Sequence, residues 1–281
     1  MDSLISFFEN ISSTQRMFIL VGGLLFFSIW ESVAPLFSLS YKRLKHAGLN
    51  LFFTLTTILV NLPLAFLLVK TSDWAVANQT GLLYILPEMP SWLSTLIGIA
   101  VLDLIGAYTI HWLEHKVKWM WMFHLIHHTD QHIDTFSANR HHPGESVFRF
   151  VFTIIATAVV GAPMWMVFLY QSASVILSQF NHANIGLPEK LDKILSYVIV
   201  TPDMHHVHHH YKQPFTDTNY GNLFSIWDRL FGTFDRLSSK ELVYGIDTYM
   251  DPKEHEHIAP LLKIPFMAYR APEGSKFSDK A

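Results

Sequence analysis

The stretch HWLEHKVKWMWMFHLIHH, residues 111–128, holds five histidines in eighteen residues. Its first five letters spell H-x-x-E-H, in which two helical imidazoles hold zinc and the glutamate between them is the general base of a peptidase. Read further, the stretch contains two boxes: H-x-x-x-H (His111, His115) and H-x-x-H-H (His124, His127, His128). A third box, again H-x-x-H-H, lies in MHHVHHHY as His205, His208 and His209. On a helix, positions i, i+3 and i+4 share one face, so each box is expected to aim its imidazoles at one point. His182, in QFNHANIG, is a candidate ninth ligand. Nine nitrogens exceed one metal's needs: a structural zinc takes four ligands, and a catalytic zinc three plus water. Two metals with four or five imidazoles each match the supply. Imidazole suits iron, zinc, copper and nickel, so ligand type does not choose the metal.

The composition agrees with a metal centre in an apolar setting. Of 281 residues, 50% are hydrophobic and only 15% charged, which is too apolar for an ordinary soluble domain. The chain has no cysteine, which excludes thiolate metal sites, disulfides and a cysteine nucleophile. A net charge of −3 gives no reason to expect nucleic acid. Of 17 histidines, only His46, His255 and His257 lie outside the window 111–210, and none of these three is expected to bind metal.

The elements that must carry the boxes are read from hydropathy. Apolar runs at 17–37, 49–69 and 92–112 are each long enough to cross a bilayer as helix. A fourth region, 147–180, is broken by Gly161, Ala162 and Pro163 and reads as a helical hairpin or two short spans. Lys42, Arg43 and Lys45 follow the first run, whereas residues 71–91 hold no Lys or Arg. The positive-inside rule then places the first loop, the end of the third span and both ends of the hairpin on the cytosolic face. All the histidine boxes converge there. NIGLPEKLDKIL reads as a loop entering an amphipathic helix, and the last dozen residues as a disordered tail. The expected fold is an all-α membrane bundle with a cytosolic helical cap holding two metals. Its organisation is 1–91 N-terminal transmembrane helices, 92–235 histidine-box catalytic region and 236–281 polar C-terminal tail.

The three boxes, in this order on a multispan apolar chain, resemble the fatty acid hydroxylase/sterol desaturase superfamily. RHHPGE (140–145), FNHANI (180–185), TNYG (218–221) and DRLFGTF (228–234) are also similar to stretches of that family. The resemblance covers roughly residues 92–234. It implies a membrane di-iron oxygenase that hydroxylates or desaturates lipids with O2 and two electrons. By motif it implies iron ligation by His111, His115, His124, His127, His128, His205, His208 and His209, with His182 and His142 as further positions. Inserting oxygen into an unactivated C–H bond needs a strong oxidant, which two iron ions can generate from O2. HHPG also resembles a haem-binding turn, but no spare soluble segment is seen to build such a domain. Electrons are therefore expected from a separate cytochrome b5-like or ferredoxin-type protein with its reductase.

Other residues carry weaker expectations. Glu114 reads as a peptidase base or, more simply, as a carboxylate that accepts a ligand histidine's distal N–H. Asp130, Asp134, Glu145 and Asp203 are candidates for that supporting role. Asp103, about two helical turns before His111, is a candidate for the substrate cavity, with pairing to a neighbouring span as the plainer alternative. His206 and His210 read as surface or supporting groups, His132 and His141 as loop residues, and WMWMF (119–123) as an interfacial anchor. A zinc peptidase would leave six boxed histidines idle. A metal-storage protein would tolerate irregular spacing, and this spacing is regular.

Overall fold

The computed structural model describes residues 1–277. Among them no strand forms beyond three isolated bridges, and the long elements are all helices. A short helix α1 (Asp2–Glu9) precedes α2 (Ser13–Val33), which starts at a capping box made by Ser12 and Gln15. Helix α3 (Arg43–Ala77) runs back across the bundle. Helix α4 (Ser91–Lys116) is one rod with a π turn at Leu104–Thr109. Four helices, α2, α3, α4 and α6 (Pro143–Val160), are long and apolar enough to cross a membrane.

The hairpin forms as α6 and α7 (Met164–His182). It turns at Gly161 with φ 72°, where a side chain would collide with the Thr80 carbonyl. The two arms find separate partners: α6 packs on α3 and α4, and α7 on α2, α1 and α4. The segment expected as a basic loop is instead the first turn of α3, because Arg43 and Lys45 lie on the helix.

Beyond the bundle, the cap is built from α5 (Lys118–His128), α8 (Glu189–Leu195), α9 (Pro202–His208) and α10 (Ile226–Leu230). Val117 leaves helical geometry (φ −113°, ψ 109°), so α4 and α5 meet at an elbow and face each other. The C-terminal segment is not a loose tail. Ile246, Tyr249, Leu261 and Ile264 are buried against Trp121, Leu125 and Ile126 of α5 and Leu49 and Phe53 of α3. Nor are the last dozen residues free throughout: Arg270 pairs with Glu254 at 2.9 Å and Phe277 packs on that core, while residues 278–281 lie outside the described ones. WMWMF is correspondingly half core, with Trp119 exposed but Trp121 buried against His115 and His128.

Two buried carboxylates fasten the cap to the spans. Asp103, fully buried on α4, accepts from the Leu223 and Phe224 amides (3.3 and 3.1 Å) and from Trp227 Nε1 (2.9 Å). It is a clamp and not a wall of the cavity, which corrects the substrate-cavity expectation. Glu31 on α2 accepts from the Thr135 amide and hydroxyl (2.6 and 2.7 Å) and from the Asn184 amide (2.9 Å). Each carboxylate satisfies three donors that would otherwise be unpaired in an apolar environment, and such groups cost about 1–3 kcal/mol apiece. Asp103→Leu is therefore expected to lower the thermal midpoint of the detergent-solubilised protein by several degrees, with Asp103→Asn milder; an unchanged melt would show the clamp to be dispensable.

Candidate metal centre

The nine boxed and motif histidines come together as two adjacent groups. His111, His115, His124, His128 and His208 form one, and His127, His182, His205 and His209 the other; within each, the ligand atoms lie within 4.8 Å of one another. Every member is buried. The boxes are divided between the groups: in each H-x-x-H-H the i and i+4 members go one way and the i+3 member the other. At 100° per residue, i+4 lies 40° past i, while i+3 falls 60° short of it. One helix face thus serves two neighbouring points, and the expectation that each box aims at a single point is corrected for the two H-x-x-H-H boxes, while His111 and His115 do share one group.

The Nε2 atoms converge. His124 Nε2 is 3.1 Å from those of both His111 and His128. In the second group His182 Nε2 is 3.2, 3.1 and 3.3 Å from those of His127, His205 and His209. The buried Nε2 atoms of His115 and His208 have no hydrogen-bond partner. Burial, then the neighbouring imidazoles, hold His124, His127, His128, His205, His208 and His209 well below the ordinary histidine range, so these rings are neutral. Neutral rings with facing lone pairs suit divalent cations, and a set of five and a set of four match the needs of two ions.

The distal nitrogens fix the ring orientations. His111 Nδ1 donates to the Tyr220 carbonyl (2.8 Å), and His208 Nδ1 to that of Thr218 (2.6 Å). His182 Nδ1 lies 2.7 Å from the Ser178 carbonyl and 2.8 Å from Asn181 Oδ1. His124 Nδ1 is held by Glu145 at 2.8 Å, and His115 Nδ1 by Asp217 at 3.2 Å. Although burial opposes ionisation, His115 and Lys116 keep the Asp217 carboxyl well below the usual carboxylate range. The Nδ1 atoms of His127, His128, His205 and His209 are buried without partners.

The motif stretches are explained by this orientation. In TNYG, the Tyr220 and Gly221 amides donate to Asp228 of DRLFGTF (2.8 and 2.9 Å), which turns the Tyr220 carbonyl onto His111. Thr233 also donates to Asp228 at 2.7 Å, and burial pushes that carboxyl up to about 6. A Cβ on Gly221 would stand 2.8 Å from Asp228 Oδ2 and 2.9 Å from the Phe224 carbonyl, so only glycine fits. Asn219, at φ 52°, bridges the Met204 and Asp235 carbonyls (2.8 and 2.9 Å) and so ties this loop to α9. In RHHPGE, Arg140 caps α5 by donating to the Ile126 carbonyl at 3.1 Å, and Glu145 supports His124.

Several expectations are corrected. His142 stands apart from both groups: its Nδ1 accepts from the Gly144 amide at 2.9 Å and caps α6. Its neighbour His141, read as a loop residue, instead places Nδ1 2.8 Å from Glu145 and stacks on His127. Asp130 and Asp134 support no ligand; they grip the two ring nitrogens of His46 at 2.9 and 3.0 Å. Burial, with Asp192 nearby, pushes Asp203 up to about 6 against the pull of Arg236, and it makes no hydrogen bond to a boxed histidine. Glu114 is engaged by Arg149 at 2.6 Å and lies 3.8 Å from His124 Nδ1, so it borders the first group as part of a charge pair. His206 and His210 are buried, not surface groups. Asp217, Arg149 and the two loop carbonyls were not singled out in the sequence.

The comparisons with known proteins follow the same boundaries. The fatty acid hydroxylase family model matches residues 95–233. This segment, just under half of the chain, is similar to a fatty acid hydroxylase domain. The chain is 28% identical over 148 residues to an ornithine lipid hydroxylase from Rhizobium tropici, covering 52% of this chain and 43% of that protein. It is 29% identical over 160 residues to human alkylglycerol monooxygenase (56% and 33%), and 29% over 126 residues to a zebrafish, Danio rerio, cholesterol 25-hydroxylase-like protein (44% and 48%). The matched segments thus span less than half of each of these relatives. No solved structure matches.

Two outcomes follow from this geometry. Gly221→Ala should displace the Tyr220 carbonyl and weaken metal binding by about 10- to 100-fold, measured by competition with a chelator. The six cap histidines stay neutral when folded but protonate when unfolded near their ordinary 6.5. Stability of the metal-free protein should therefore be highest above pH 6.5 and fall as the pH drops below it, by up to about 1.4 kcal/mol per histidine per pH unit. Thermal melts from pH 8 to 5 (about the practical range), with and without metal, test this; a flat profile would contradict it.

Proposed function

We propose that this protein is a membrane-bound di-iron oxygenase that hydroxylates or desaturates a lipid using O2 and two electrons. The observation that carries this reading is the pair of adjacent, buried, all-imidazole groups, opening on a cavity inside an apolar bundle. His111, His115, His124, His128 and His208 would hold one iron, and His127, His182, His205 and His209 the other. The lipid names of the family relatives support the substrate class, and the positive-inside pattern supports a cytosolic active face, in a bacterial inner membrane or an endoplasmic reticulum. The electrons would come from a separate cytochrome b5-like or ferredoxin-type donor.

The two irons supply the oxidising power when bound; the chain supplies everything else. In the hydroxylation form, a lipid C–H, O2, two electrons and two protons give an alcohol and water. The carbonyls of Tyr220, Thr218 and Ser178 and the carboxylates of Glu145 and Asp217 hold five of the nine imidazoles, those of His111, His208, His182, His124 and His115, in one tautomer. Arg149 balances Glu114 and Glu145, so neither carboxylate stands as a bare charge beside the centre. Burial of the histidines within the cap shields the reacting carbon from bulk water.

The function is tested by comparing lipid extracts of cells with and without the protein. Gain of one oxygen or loss of two hydrogens in one lipid class is expected, and should vanish for His205→Ala. Anaerobic reconstitution with ferrous iron should give two ions per chain, falling to one when His205 and His209 are both alanine. One tightly held zinc with peptidase activity would refute the reading.

A further inference from the structure

Two cavities abut inside the bundle. The inner one, about 260 Å³, is bounded by His111, His127, His182 and His205 of the two metal groups. Many polar side chains also line it, including Asn61, Ser146, Thr153, Gln171, Ser174 and Asn222, set among apolar surface. The outer one, about 570 Å³, lies between α2, α3 and α7 and is walled mainly by apolar side chains such as Leu20, Ala65, Leu68 and Phe168. Ile58, Leu62 and Val69 also wall it and are exposed on the lipid-facing surface of α3, so it adjoins the bilayer. Asn61, Gly106, Phe150, Thr153, Gln171, Ser174 and Val175 line both cavities and form their junction.

The polarity is the reverse of what a chain-end oxidation needs. Oxidising the far end of an alkyl chain calls for an apolar wall beside the metals. Here the wall beside the metals is rich in amides and hydroxyls, and the apolar wall lies deeper in the membrane. The junction is also close to the metals: Gly106 precedes His111 by five residues, about 7.5 Å of helix rise. Asn61 Oδ1 at that junction is buried and has no hydrogen-bond partner. A side-chain acceptor left unpaired inside a membrane span is costly unless something donates to it. The metals lie at one end of the spans, so a lipid of that leaflet already has its polar part level with the inner cavity and its chain level with the outer one.

We infer that the substrate is a lipid with a hydroxyl or amide N–H donor in its polar linkage. It enters sideways with its chain in the outer cavity, donates to Asn61, and is oxidised close to the linkage. Asn61 is thus a specificity-determining residue, with Gln171 beside it. This rests on the lipid-oxygenase reading, but its test does not require turnover.

The probes are hexadecylglycerol, with two free hydroxyls, and its di-O-methyl ether, bound to the full-length, iron-loaded protein under anaerobic conditions. The free-hydroxyl probe should bind about tenfold more tightly, the effect of about 1.4 kcal/mol for one hydrogen bond. Asn61→Leu should reduce that preference to under about threefold while retaining its iron, and Asn61→Gln, which keeps an acceptor, should retain most of it. Equal binding of the two probes by the wild type, or a preference undiminished in Asn61→Leu, would overturn the inference. So would an oxidised lipid from cells whose fragmentation places the new oxygen in the far half of the chain. Preferential binding without any lipid oxidation would refute the oxygenase reading alone.

Discussion

Nine imidazoles are buried together with nitrogens facing one another at 3.1–3.3 Å, and the rest of the cap answers that constraint. Facing lone pairs repel, and burial forbids the protons that would otherwise separate them. Cations placed between the rings would relieve that repulsion, so metal binding is expected to couple to cap folding. Each ring must also be stopped from rotating. That demand explains why short, irregular segments such as 217–221 are anchored so densely: their carbonyls and the Asp217 carboxylate are the acceptors for His111, His115 and His208.

The two groups differ in charge support. The five-histidine group is bordered by Glu145, Glu114 and Asp217, balanced by Arg149 and Lys116. For the four-histidine group the acceptors on His182 are neutral, a carbonyl and an amide. A carboxylate on the distal nitrogen makes an imidazole a stronger donor than a carbonyl does. The two groups are therefore inequivalent although all their members are imidazoles.

The helices act as rulers for this centre. The elbow at Val117 folds α5 back on α4, which brings the first two boxes together. The π turn of α4 brings Gly106 and Ala107 to the cavity wall just before His111. The buried carboxylates Asp103 and Glu31 then fix the cap loops to the spans, and their position inside apolar helices leaves those loops few alternatives.

Much of this was legible in the sequence because it rests on local periodicity. Twenty-residue apolar runs give spans, a Gly-Ala-Pro break gives a hairpin, and i, i+3, i+4 spacing gives imidazoles on one helix face. Both the helical class and the eight boxed histidines could be read that way, whereas His182 was a candidate from its place at the end of the hairpin and from the family resemblance. What local pattern does not carry is the partner across space. Asp130 and Asp134 sit within six residues of His128, yet they turn to His46 on another helix. His142 faces a helix end while His141 faces the centre. The division of each H-x-x-H-H box between the two groups, the clamp role of Asp103 and the burial of the C-terminal segment likewise depend on long-range packing. A side chain's spacing fixes the direction in which it leaves its own helix; only the tertiary structure decides what it meets.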